Sequence, residues 1–265
     1  MKIGVVGCAG RMGQILVREI AATPGCVVAG GTERAGGGHV GKDIGEVAGL
    51  GALGVTVVED PAVLFAEADA VIDFTSPEAA ERHAALAAQG ETAYILGTTG
   101  LNAEQQAAVA AAATHTPIVH APNMSVGVNL LFILVEQVAR TLGDEFDIDI
   151  LEMHHRRKVD APSGTALGLG RAAAAGRGVP LEEVWQKVRD GITGARPRGE
   201  IGFATLRGGD VIGDHTVFFA GDGERIELTH KASGRQIYAK GAVRAALWSA
   251  DKQPGLYSMR DVLGL

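Results

Sequence analysis

The stretch from Lys2 to Gly13 constrains the fold more than any other. Lys2 to Gly7 is a short apolar run of strand length. It enters Gly7-Cys8-Ala9-Gly10-Arg11-Met12-Gly13 directly, and Met12, Ile15, Leu16, Glu19 and Ile20 then recur at helical spacing. In a strand–glycine loop–helix unit the backbone can approach a pyrophosphate closely, and the positive helix end faces its charge. The spacing is Gly-x-x-Gly-x-x-Gly rather than Gly-x-Gly-x-x-Gly, with Ala9 in the middle place. An ordinary strand-to-helix turn could carry these glycines, so the loop alone decides little. Val27 to Thr32 then reads as a second strand ending at Glu33, 20 residues after Gly13. That interval suits an acidic residue on a ribose 2′-hydroxyl. Together the features predict dinucleotide binding. Glu33 favours the free hydroxyl of NADH, whereas Arg34 suits the 2′-phosphate of NADPH, and the sequence leaves both cofactors open.

The same alternation continues. A glycine-rich loop covers residues 35–54, Val55 to Val58 reads as a strand, and Pro61 opens a short helix. Ala70 to Phe74 is an apolar strand followed by Ser76-Pro77-Glu78, which reads as a helix cap with proline in the first turn. Thr92 to Leu96 ends in Gly97-Thr98-Thr99-Gly100, Asn102 caps an alanine-rich helix, and Pro117 to His120 leads into Ala121-Pro122-Asn123-Met124. Repeated strand–helix units predict a Rossmann-like, doubly wound parallel sheet of the α/β class. Ligands on such sheets lie at the carboxyl ends of strands, so the loops at Gly7, Glu33, Phe74, Gly97–Thr99 and Ala121–Met124 should line one cleft.

The second half is organised around Glu152 to Ala166. Asp149 to Met153 alternates as a strand, with His154 and His155 at its end. Neighbouring strand residues point to opposite faces, so the two rings are poorly placed to share a metal and no metal is expected. Ser163 suits an N-cap for a helix from Gly164 to about Gly176, and the amides of Gly164 and Thr165 offer a seat for a carboxylate. Arg156, Arg157 and Lys158 add positive charge. A His-His-Arg-Arg-Lys run also fits a solvated basic surface; the capped helix directly after it favours a site for a small dianion with proton transfer. A helix over Gly127 to Leu142 is predicted to link two domains. Leu181 to Arg198 reads as loop-rich. Ile201 to Leu206, Asp210 to Ala220 and Arg225 to Lys231 read as strands joined by hairpins at Gly208-Gly209 and Gly221-Asp222-Gly223. This gives a smaller α+β domain with a mixed, partly antiparallel sheet. The predicted domains are 1–125 and 126–235, with 236–265 packing back on the first. His215 and His230 fall in strand patterns and read as packing or surface residues. Arg235 begins a helix and is a candidate contact for an anionic ligand. Cys8 lies inside the glycine loop and is a poor candidate nucleophile.

A net charge of −7 argues against general attraction to nucleic acid or an anionic membrane. Two cysteines make no disulfide framework, and a cytoplasmic location is expected. The longest uninterrupted apolar run, Leu130 to Val135, is far short of the roughly 20 residues that span a bilayer.

The string Glu-Met-His-His-Arg-Arg-Lys-Val-Asp-Ala-Pro-Ser-Gly-Thr-Ala at 152–166 resembles the signature of the 4-hydroxy-tetrahydrodipicolinate reductase family. Gly7 to Gly13, Gly97 to Gly100 and Ala121 to Asn129 resemble that family's other motifs, so the likeness covers nearly the whole chain. The resemblance implies NAD(P)H-dependent reduction of a small cyclic dicarboxylate in diaminopimelate and lysine biosynthesis. It implies His154 as proton donor/acceptor and Lys158 as proton donor. His155, Gly164 and Thr165 would bind substrate carboxylates, beside the candidate Arg235. Gly7, Cys8, Ala9, Gly10, Arg11 and Met12 would contact the nicotinamide cofactor, as would Glu33 and Arg34. So would Gly97, Thr98 and Thr99, and Ala121, Pro122, Asn123 and Met124. It implies a homotetramer assembled through the second domain's sheet. Hinges are expected near Asn123–Gly127 and Ser233–Arg235. Another nicotinamide dehydrogenase, such as one acting on amino acids, would share the glycine loop without needing the 152–166 string. A dinucleotide-sensing regulator would need a nucleic-acid-binding element, and this acidic chain offers none.

Overall fold

Side chains along the strands of the first half point alternately to the two faces of one sheet, and both faces are buried, which builds two cores. The computed structural model describes every residue from Met1 to Leu265. The chain divides into two compact units, Met1–Val126 with Arg235–Leu265, and Gly127–Gly234.

The first unit runs β1 (Lys2–Val6), α1 (Arg11–Ala22), β2 (Val27–Thr32), α2 (Ile44–Ala48), β3 (Val57–Val58), α3 (Pro61–Glu67) and β4 (Ala70–Asp73). It continues through α4 (Pro77–Gly90), β5 (Ala93–Leu96), α5 (Ala103–Ala112) and β6 (Pro117–His120). The sheet is parallel and seven-stranded. Ile3, Val5, Ile72 and Ile95 face one core, which includes Leu16 and Ile20 of α1. Val6, Val71, Tyr94, Leu96 and Ile118 face the other, with Leu64 of α3 and Ala84 of α4. Both sheet faces are therefore covered, which is why these strands read as continuous apolar runs. The strand order places β4 beside β1, on the side away from β2 and β3. The chain reverses its winding there, so a crevice opens between the carboxyl ends of β1 and β4.

In the second unit, α6 (Val126–Leu142) precedes β7 (Asp147–His154), α7 (Gly164–Arg177), α8 (Leu181–Val184), β8 (Trp185–Gln186), β9 (Ile201–Arg207), β10 (Gly213–Gly221) and β11 (Glu224–Ala232). The sheet order is β11-β10-β7-β9-β8. One face packs Ile148, Ile150, Phe203, Val217 and Phe219 against Leu131, Val135 and Ala139 of α6 and Leu169 and Ala173 of α7. The chain then returns to the first unit as α9 (Gln236–Ser249), β12 (Gly255–Tyr257) and α10 (Met259–Leu263). Ala242, Val243 and Ala246 of α9, with Met259 and Val262 of α10, complete the core that holds α1.

Four local expectations are corrected. Gly208-Gly209 is no hairpin, because β7 lies between β9 and β10 and pairs parallel with β9 and antiparallel with β10. Two glycines between apolar runs signal a turn but not which strands it joins; only Asp222-Gly223 closes a true hairpin, between β10 and β11. Residues 181–186 are ordered as α8 and β8, with Leu181 buried in the sheet core. Ser76 sits at the N-cap of α4 but its side chain makes no cap bond, leaving proline at the first turn as the start signal. Finally, Val126–Glu145 is long and apolar enough to cross a membrane by length and composition, which a count of uninterrupted apolar residues misses. Val128, Leu131, Val135 and Ala139 form a buried stripe on α6, as a core helix requires.

The glycine loop is shaped by close approach. Gly7 has φ +66°, and a Cβ on Gly13 would stand 2.6 Å from Cys8 Cα and collide with the Gly7 carbonyl. That backbone cannot yield as a flexible side chain would. Gly13→Ala should therefore cost about 1–3 kcal/mol. Thermal and urea unfolding would measure this, and an unchanged stability would contradict the tight loop–helix packing.

Candidate active site

On β7 the apolar stripe of Ile148 and Ile150 continues into Glu152 and His154. All four are buried at alternate positions, so they share one face. A carboxylate and an imidazole thus replace aliphatic side chains just where the strand ends. His154 Nδ1 lies 2.6 Å from Glu152 Oε2. Glu152 also accepts both Arg207 guanidinium nitrogens, at 2.8 and 2.9 Å, and the backbone N–H of Ser163 at 3.0 Å. The register makes this possible: Thr205 pairs with Glu152 and Arg207 with His154 across β9 and β7. Burial alone would raise the Glu152 pKa. The bonds from His154 and Arg207 and the charge on His154 bring it down from 4.5 to about 2. Glu152 is therefore ionised at neutral pH and can only accept. The proton shared with His154 sits on Nδ1, which leaves Nε2 as the nitrogen that exchanges protons. Gly213 makes room for it, since a Cβ there would stand 2.9 Å from Nε2.

The His215 ring stands edge-on to His154, with centroids 5.1 Å apart. Ser163 Oγ accepts from Ala166 N at 3.1 Å and shares a hydrogen bond with His215 Nε2 at 3.0 Å. Burial first, and then the charge on His154, push the His215 pKa from 6.5 to about 4. His215 is thus a neutral wall, and Ser163 both caps α7 and joins it to β10. Gly164 and Thr165 open α7 at the positive end of the helix dipole. Lys158 Nζ pairs with Asp160 Oδ1 at 2.9 Å, and Arg207 holds the Asp160 carbonyl at 2.6 Å. His155, just past the end of β7, is half-buried. Arg156 and Arg157 are exposed and, with Gly209 and Asp210, line an open cavity of about 470 Å³.

In the first unit Cys8 N donates to Thr32 O and Ala9 N to Glu33 Oε1, at 3.1 and 2.8 Å, tying the glycine loop to the end of β2. Gly10 is the N-cap of α1 and offers no side chain to the helix amides. Arg11 and Arg34 are exposed, and Met12 is half-buried. The Cys8 thiol is fully buried, and burial followed by the Glu33 charge pushes it up to about 12, so it is no nucleophile. Gly97 and Thr98 lie beside Asp73, while Thr99 and Pro122 are exposed. Asn123 is half-buried and accepts from Ser125 N, and Ala121 N donates to Leu96 O. The Met124 side chain is buried in the core, so only its backbone is available to a ligand. Arg235 is the N-cap of α9 and belongs to the first unit, not to the cluster around His154.

Sequence reasoning passed over Glu152, Arg207 and His215. Glu152 was within reach, since its two-residue offset from His154 on a strand puts both on one face. Arg207 was not, because its place depends on the β7–β9 pairing that the hairpin reading concealed. His215 looked like any strand residue.

The fold and the glycine loop define a nicotinamide-dependent oxidoreductase. Family models described as dihydrodipicolinate reductase N-terminus and C-terminus match residues 1–124 and 127–263. The chain belongs to the dihydrodipicolinate reductase family. It is 59% identical to 4-hydroxy-tetrahydrodipicolinate reductase 1 of Mesorhizobium japonicum, covering 100% of this chain and 97% of the relative. It is 57% identical to the Brucella abortus 4-hydroxy-tetrahydrodipicolinate reductase, covering 100% and 99%. A dipicolinate-bound dihydrodipicolinate reductase from Paenisporosarcina sp. TG-14 superposes with a TM-score of 0.77 at 24% identity, over 97% of both chains. An amine dehydrogenase from Mycobacterium smegmatis shares the fold, with a TM-score of 0.62 at 14% identity over 97% of this chain and 95% of its own.

The depressed pKa of Glu152 carries a sign. Its stabilising contribution is complete above pH 4.5 and is lost as pH falls toward about 2. Glu152→Gln should cost about 3–5 kcal/mol at pH 7, because it strands the Arg207 charge. The gap to the unmodified protein should narrow as pH falls through that window. Urea unfolding at several pH values checks this; a gap independent of pH would contradict it.

Proposed function

We propose that the chain reduces the dehydrated form of 4-hydroxy-tetrahydrodipicolinate to tetrahydrodipicolinate, with NADH or NADPH as reductant. The observation that carries this reading is His154, fixed by ionised Glu152 at a strand end, beside the Ser163-capped start of α7. The first unit suits the cofactor: Gly10 leaves the α1 N-terminus open, and Gly7 and Gly13 have no room for a Cβ. When bound, the nicotinamide supplies the hydride that reaches ring C4. Gly7 to Met12 would seat the pyrophosphate, and Glu33 with Arg34 would meet the adenosine ribose. Glu33 favours NADH and Arg34 NADPH, so either can serve. Gly97–Thr99 and Ala121–Met124 would hold the nicotinamide side.

The second unit handles the substrate. Gly164 and Thr165 at the start of α7, with His155, would bind its carboxylates. Charge that builds in the ring must be neutralised by a proton. His154 Nε2 can deliver it, because Glu152 holds the opposite nitrogen and stabilises the imidazolium. The Lys158 ammonium exchanges Asp160 for the substrate and serves as the second donor. His215 and Ser163 keep the His154 ring and the α7 start in place.

The chain would assemble as a homotetramer through the β7–β11 sheet. Only one face of that sheet is covered within its unit, and Leu206 on the other face is exposed. Both cysteines are free thiols, which fits a cytoplasmic enzyme.

Following NADH and NADPH absorbance with freshly generated substrate tests the activity directly. His154→Gln should lower kcat by roughly 10²–10⁴-fold with little change in KM. Thr165→Val should raise KM more than it lowers kcat. Unchanged turnover in the His154 variant would refute its role. Light scattering on a sizing column should give four times the 27.3 kDa chain mass, and a monomer would refute the tetramer.

A further inference from the structure

Asp73 ends β4 at the crevice between β1 and β4, and it is completely buried. The acid–base chemistry above does not use it. Its two oxygens have different partners. Oδ2 accepts from His83 Nδ1 of α4 at 2.7 Å and from the hydroxyl of Tyr94 on β5 at 2.6 Å. Both donors are rooted in the apolar core, where Phe65 lies 5.9 Å from each ring. Oδ1 faces the loops instead. It accepts from Thr75 N and Thr75 Oγ1, both at 2.7 Å, and from Thr98 Oγ1 at 3.2 Å. Thr75 in turn fits against the first glycine of the β1 loop, where a Cβ on Gly7 would stand 2.8 Å from Thr75 Cγ2. The Asp73 carbonyl also accepts from Gly97 N at 2.8 Å.

One carboxylate therefore ties the loop after β4 and the loop after β5 to a rigid core. Burial opposes its charge, yet the bonds from His83, Tyr94 and Thr75 hold its pKa below the ordinary carboxylate range. A buried ion network is a poor means of stability, because an apolar side chain of similar size often serves as well. A fully satisfied one fixes geometry. We propose that Asp73, anchored by His83 and Tyr94, is a positioning residue that presets the Thr75 and Thr98 loops for the nicotinamide half of the cofactor. The choice of half follows from the sheet. Glu33 lies on the β2 side, which takes the adenosine, and Asp73 lies across the switch point from it. This rests on the assignment of the first unit to a nicotinamide dinucleotide.

The test compares NADH with ADP, which carries only the adenosine half, by titration calorimetry on the full chain. Wild-type protein that binds neither would overturn the dinucleotide assignment itself. Given wild-type binding, Asp73→Asn should weaken NADH about tenfold and leave ADP within about twofold. Equal weakening of both ligands, or no weakening of NADH, would overturn the proposal. Should Asp73→Asn fail to fold, Tyr94→Phe carries the same comparison, since it removes one core tether and touches no loop. It should weaken NADH about threefold or more with ADP unchanged. In a doubly substituted protein, Thr75→Val should add nothing to the loss already caused by Asp73→Asn or Tyr94→Phe. Additive losses would mean that Thr75 acts independently of Asp73 and would likewise overturn it.

Discussion

A single buried carboxylate, Glu152, holds the second unit's chemistry together. It sits 1% exposed at the end of an apolar strand and would be costly there without partners. It binds the imidazole of its own strand, the guanidinium of the neighbouring strand and the backbone N–H that precedes α7. Those three partners set the orientation of His154, the register of β9 against β7 and the approach of α7. Because the carboxylate stays ionised, it fixes which imidazole nitrogen holds its proton. Stability and chemistry here depend on the same group.

The first unit follows a related logic at the end of another strand. Asp73 also ends an apolar strand, is also buried, and also binds a histidine. The outcomes differ because the surroundings differ. His154 has one nitrogen committed to Glu152 and the other beside the space that Gly213 leaves. His83 is packed with Phe65 inside the core, and the second oxygen of Asp73 is turned to loop hydroxyls. One carboxylate–imidazole pair stands at the edge of open space, the other inside a packed core. The glycine loop completes the unit through absence of side chains, since each Cβ that Gly7 or Gly13 lacks would meet a neighbour within 3 Å.

Much of this could be read in the chain. The parallel sheet was legible because strands buried on both faces are uniformly apolar and alternate with helices that carry their own caps, such as the Asn102–Gln105 capping box of α5. The His154–His155 pair and the α7 start were legible because strand alternation and Ser163 capping are local rules. What escaped was non-local. Arg207 reaches Glu152 only through a parallel pairing between residues 53 apart, Ile201 with Ile148 to Arg207 with His154. Nothing near Gly208-Gly209 reveals that β7 intervenes. His215 reads as a strand residue until β10 is set beside β7, where it faces Glu152. Spacing along the chain reports local geometry well, and partner choice across a mixed sheet poorly.

The central claim concerns a proton: ionised Glu152 keeps it on His154 Nδ1, so that Nε2 is the nitrogen that trades with the substrate. Nitrogen-15 NMR of ring-labelled protein, taken with the His154 ring neutral, observes this directly. The account predicts a protonated Nδ1 shift and an unprotonated Nε2 shift for this residue. A neutral ring carrying its proton on Nε2, with Nδ1 bare against Glu152, would contradict it.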